Sequence, residues 1–164
     1  MVEVKAKLKI RRGAYKLDVK GQLALPFAAR SGNGQAVRLT SGEEVMLRLP
    51  RGEVLRGGDL VTASDGRVIE VVAAPEKLLH VEGARLAHLA WLLGNGHVPL
   101  QFGDTWLRMA EAPGMDEALA HFGAQVRKVE EPFEPEVLAH DHEHGDHDHD
   151  HDHDHGHGHD HHHH

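Results

Sequence analysis

The last 25 residues of this 164-residue chain cannot belong to any core. From His140 to His164, 14 residues are histidine, eight are aspartate or glutamate and three are glycine. With no apolar side chain to bury, the stretch cannot offset the entropy of ordering it, so it is expected to be disordered without a ligand. What remains to fold is residues 1–139, enough for one domain or two small ones. All 18 Lys and Arg lie there, together with 18 of the 26 Asp and Glu. That part is formally neutral, and the net charge of −8 belongs to the tail. The foldable part therefore has no global charge to steer it toward nucleic acid.

The tail's composition points to metal. Neutral imidazole suits Ni(II), Zn(II) and Cu(II), and carboxylates orient ligating histidines from behind. In extended chain, His147-Asp148-His149-Asp150-His151 places histidines on one side and carboxylates on the other. His140, His142, His144, His147, His149, His151, His153, His155, His157 and His159 are the candidate ligands. A purification tag accounts for His161–His164 but not for the interleaved Asp-His repeat. A run serving only solubility would need no imidazole. Affinity should fall as the pH drops through the ordinary histidine pKa of ~6.5, because the ligand is the neutral ring.

Upstream, the chain changes character near Ala73-Ala74-Pro75-Glu76. Before it, Val2, Val4, Ala6, Leu8 and Ile10 alternate with charged residues at a period of two. Val45, Leu47 and Leu49 repeat that pattern up to Pro50. Turn signals at Arg56-Gly57-Gly58-Asp59 and Ser64-Asp65-Gly66-Arg67 bracket the runs Leu60–Ala63 and Val68–Ala74. Residues 1–74 read as an all-β domain. After it, Lys77–Glu82 reads as a strand, Ala84–Leu93 as a helix, and Val98–Phe102 and Thr105–Ala110 as strands. Met115, Leu119 and Phe122 mark a second helix behind Pro113, and Gln125–Val129 a last strand. That order, β-α-β-β-α-β, predicts a ferredoxin-like domain over residues 75–139, making the whole an α+β protein with a tail at 140–164.

Gly94-Asn95-Gly96-His97 joins the first of these helices to the next strand, and its glycines are expected to supply the positive φ that presents His97. The helix carries Leu86, Leu89, Ala90 and Leu93 on one stripe and Trp91 and Leu92 on another. Either both sides are buried within the monomer, or the second builds a dimer interface beside His97. A single ferredoxin-like sheet covers only one side, which favours the dimer. His80, His88 and His121 read as surface or interface residues. The basic run Lys5, Lys7, Lys9, Arg11 and Arg12 lacks interleaved aromatics and reads as a solvated face or a dock for an acidic protein. The chain has no cysteine, no apolar run of membrane-spanning length and no signal-peptide pattern, so a cytoplasmic protein is expected, with neither membrane nor nucleic acid as partner. It shows no phosphate loop and no nucleophile–base pair, which argues against an enzyme.

Leu47-Arg48-Leu49-Pro50-Arg51-Gly52-Glu53-Val54-Leu55-Arg56-Gly57-Gly58-Asp59 is similar to an "LP.G..L..GD" signature. Leu93-Gly94-Asn95-Gly96-His97-Val98-Pro99-Leu100-Gln101 resembles an "LGNRH.PLQ" motif, and Pro132-Phe133-Glu134-Pro135-Glu136 an approach to a histidine-rich tail. Together the three resemble the UreE family of urease accessory nickel chaperones. The resemblance implies a peptide-binding β domain and a metal-binding domain that dimerises, with His97 meeting its copy across the axis to hold Ni(II). It also implies delivery to the urease apoprotein with its accessory GTPase complex, with Zn(II) or Cu(II) as possible ions in vitro. Gly96 replaces the motif's arginine. No histidine occupies Met109–Gly114, so further ligands should come from the tail or from Glu111. The alternatives are a metal store or detoxification protein built on the tail, and a scaffold of the urease assembly complex.

Overall fold

The alternation at the N-terminus builds β1, Val2–Arg11, whose Val4 is fully buried. The structure is a computed structural model that describes residues 1–11 and 17–137. Five further strands follow: β2 (Val19–Leu25), β3 (Gln35–Arg38), β4 (Glu44–Leu47), β5 (Asp59–Ala63) and β6 (Val68–Ala73). They form a six-stranded mixed sheet of order β2-β6-β5-β1-β4-β3, in which β1 runs parallel to β4 and antiparallel to β5. Val4, Leu23, Leu47, Leu55 and Val71 fill its core. The expected β5–β6 hairpin is present, with Gly66 at φ 87 in the turn and the Ala63 N–H donating to Arg67 O at 2.9 Å.

Two features of this half depart from the alternation. The strand ends at Leu47, not at Leu49, because the Asn33 side chain takes over the pairing: its Nδ2 donates to Leu49 O (2.5 Å) and its Oδ1 accepts from Leu49 N–H (2.8 Å). A four-residue helix, α1 (Phe27–Arg30), interrupts the strands directly after Pro26.

Beyond Ala74 come β7 (Pro75–Glu82), α2 (Leu86–Asn95), β8 (Gln101–Phe102), β9 (Trp106–Ala110), α3 (Met115–His121) and β10 (Gln125–Pro132). The strands form a fully antiparallel sheet of order β10-β7-β9-β8. Leu79, Val81, Leu107 and Met109 share a face of that sheet and pack with Leu89 and Leu93 of α2 and Leu119 of α3. The described chain is thus a sheet-rich α+β structure with few helices.

The helix at 84–93 starts and ends two residues later than its periodicity suggested. The strand expected over Val98–Phe102 shrinks to two residues, since Val98 N–H is used to close α2 and Pro99 has no N–H to give. Phe122, expected inside the second helix, is its C-cap and 43% exposed. His80 is not a surface residue: it is 3% exposed, accepting at Nδ1 from Arg108 Nε (3.0 Å), with Nε2 3.2 Å from Glu82. Among the described residues no helix is long and apolar enough to cross a membrane.

Candidate metal centre

His97 occupies an unusual backbone position. At φ 58 it is the non-glycine residue in the left-handed region among those described. The reason lies in how α2 stops. Its C-cap is Gly96, and past it His97 N–H donates to Gly94 O and Val98 N–H to Leu93 O, both at 3.0 Å. These two reversed hydrogen bonds make a Schellman motif, with Leu93 and Val98 packed in the same apolar cluster. The motif needs a left-handed residue at the position His97 fills. Neither Gly94 nor Gly96 takes positive φ, so the expectation that the glycines bend the turn is corrected: the histidine bends it. The conformation costs an L-residue about 1–2 kcal/mol. It fixes the backbone from which the exposed imidazole projects.

His97 lines a cleft of ≈ 440 Å³. One wall is α2 and the turn after it, including Ala90, Gly94, Val98, Pro99 and Leu100; Phe27 of α1 and Phe102 of β8 close it. Glu136 and Val137 form the remaining wall. Val137, the last described residue, lines the cleft with His97. His140 follows Val137 by three residues, a span of at most ~10 Å.

Phe133, Glu134, Pro135 and Glu136 are each held by hydrogen bonds. Arg30 of α1, fully buried, donates to Phe133 O and to the Glu134 carboxylate, and through Nε and Nη1 to Leu25 O and Leu55 O at 3.1 Å each. Burial lowers the guanidinium's pKa from its ordinary value, and the Glu134 carboxylate opposes that. Arg56 Nη2 donates to Pro135 O (2.6 Å), Gln101 Oε1 accepts from Glu134 N–H (3.1 Å), and Glu136 N–H donates to Leu100 O (2.8 Å). Phe27 and Phe133 meet edge to face at 5.9 Å. Two of the motif stretches singled out in the sequence thus touch each other: Arg56 donates to Pro135 O and Gly57 N–H to the Glu134 carboxylate, at 3.4 Å. Reading the sequence alone missed Arg30 and this contact. A basic residue four after a proline was the faint signal for a first-turn helix carrying it.

The other histidines lie elsewhere. His88 is exposed on α2, with Arg85 Nη2 3.0 Å from its Nδ1 and its ring 6.5 Å from Phe122. His121 is exposed at the end of α3. Glu111 does not line the cleft; its carboxylate meets Lys128 Nζ at 2.9 Å. Trp91 is 66% exposed, so α2 is not buried on both sides within one copy. Among the described residues no three His, Asp or Glu converge on a site that could hold an ion. The tail histidines, His140 through His159, and the expectation that the tail is disordered, lie outside the described residues.

Comparison with known proteins gives a consistent pattern. The family model for the N-terminal domain of the UreE urease accessory protein matches residues 12–74, and that for its C-terminal domain matches residues 67–164. The chain is similar to the urease accessory protein UreE of Ralstonia nicotianae, with 43% identity over 122 residues covering 73% of this chain and 58% of the relative. It is likewise 43% identical over 122 residues to that of Cupriavidus pinatubonensis, covering 73% of this chain and 55% of the relative. The UreE of Azotobacter vinelandii is 44% identical over 119 residues, 70% of this chain and 72% of the relative. The chain thus spans little more than half the length of the first two.

Proposed function

The chain belongs to the UreE family of urease accessory proteins, and we propose that it carries Ni(II) to apo-urease while the urease active site is assembled. The family is one of accessory chaperones, not of enzymes. In this reading the tail collects the ion, His97 receives it in the cleft, and the protein hands it to urease through the accessory GTPase complex in the cytoplasm. The observation that carries the reading is the position of His97: it is held in a costly conformation on a cleft whose wall includes Val137, three residues before the first tail histidine. Zn(II) and Cu(II) bind the same donors in vitro.

Residues 1–74 serve as the peptide-binding β domain, 75–139 as the ferredoxin-like metal-binding and dimerisation domain, and 140–164 as the collecting tail. The element order β7-α2-β8-β9-α3-β10 and the antiparallel strand order support the ferredoxin-like assignment. Exposed Trp91 on α2 supports a homodimer, in which a second copy brings its own His97 to the ion. One imidazole binds weakly, whereas two made adjacent by symmetry form half a coordination shell and a tethered tail completes it.

The composition of the tail favours one other reading, a metal store. Urease activation at low nickel separates the two. His97→Ala is expected to abolish activation in the full-length chain, while a chain ending at Ala139 activates more slowly but still binds an ion through His97. Unchanged activation by His97→Ala would overturn the delivery role. Loss of metal tolerance with intact activation in the shortened chain would make the tail a store.

A further inference from the structure

We propose that Glu136 is a second metal-ligating side chain of the cleft, giving it a mixed imidazole–carboxylate donor set for a divalent first-row cation. The inference rests on the reading of that cleft as the nickel site and adds a ligand to it. Of the ten lining residues, His97 and Glu136 alone carry side chains that bind a cation; the others are glycine, proline or apolar. The two are tied together through the backbone. Glu136 N–H donates to Leu100 O, three residues past His97 and buried, and Arg56 holds the preceding carbonyl. Both ligands thus start from fixed main chain, which lowers the ordering cost of binding an ion.

Glu136 is also a carboxylate that no other side chain has taken, unlike several of its neighbours in this half. Glu134 is taken by Arg30, Glu111 by Lys128, Glu76 by the Phe27 N–H, and Glu82 faces His80. Among the described residues the Glu136 side chain has no hydrogen bond and no ion pair. Glu136 and His97 are both exposed, so an ion reaches the two side chains without first displacing another partner from either. Imidazole suits Ni(II), and a carboxylate supplies the negative charge that a neutral ring cannot.

The test uses full-length, isotope-labelled protein titrated with buffered Ni(II), read from the amide signals of residues 93–101, which an ion in the cleft broadens or shifts. Glu136→Gln is expected to raise the nickel concentration at half-effect about tenfold, as losing a partner of a metal site does, and Glu136→His to restore most of it. Glu131→Gln, on β10 and away from the cleft, serves as control. If Glu136→Gln titrates like the parent while His97→Ala loses the effect, Glu136 is no ligand and the nickel site stands. If Glu136→His is as weak as Glu136→Gln, direct ligation is overturned. If His97→Ala leaves the signals responding as before, the cleft itself is not the site.

Discussion

A histidine in the left-handed region is held there by its surroundings, and His97 is held by the two reversed hydrogen bonds that close α2. Glycine takes the same conformation at almost no cost. His97→Gly should therefore stabilise the fold by about 1 kcal/mol relative to His97→Ala in urea denaturation, although both lose the imidazole. Equal midpoints for the two variants would mean that the turn is unstrained. The sequence made this site legible only in part. That a turn falls at 94–97 and presents His97 is plain from Gly94-Asn95-Gly96. Which residue takes positive φ depends on where the helix stops, and α2 runs two residues beyond Leu93, where its apolar periodicity ends.

At the scale of elements, alternation and turn chemistry placed most strands but not their ends. Where the backbone found a partner outside the sheet, as Leu49 does in Asn33, the strand stopped early. Side-chain pairing of that kind leaves no periodic trace. The hairpin of β5 and β6 shows a second such contact: Arg67 donates through both terminal nitrogens to Glu43, at 2.7 and 2.6 Å, and through Nε to Asp65 at 2.7 Å. Hydrogen bonds from Arg67 hold both carboxyl groups below their ordinary pKa values of 4.5 and 3.8. Groups lowered in the folded state stabilise it above those values, and the contribution disappears as the pH falls through the lower folded ones. Arg67→Gln should therefore lower the urea midpoint at neutral pH and lose that difference progressively below about pH 4. A difference that stays constant down to acid pH would show that the contact adds nothing through charge.

Across the whole molecule, the change in composition at Ala73–Glu76 marks the passage from one sheet to the other, and the sequence shows it directly. The join between the sheets was not legible, because Arg30 and Glu134 lie 104 positions apart and no local pattern links them. Arg30 satisfies carbonyls from β2, from the Leu55 loop and from the segment after β10, so removing it strands several buried acceptors at once. Arg30→Met should cost about 3–5 kcal/mol and split calorimetric unfolding into two transitions, one for each sheet. A single transition at a lower temperature would mean that other contacts couple the halves.

The end of α2 has one more consequence for a cation. Peptide dipoles aligned along a helix leave about half a negative charge at its C-terminus. No basic residue lies in the last turn of α2, and Gly96 stands where the family motif has arginine, so nothing in that turn neutralises this charge. The field of the helix therefore points an approaching dication toward His97. It adds attraction without adding a bond that must later be broken.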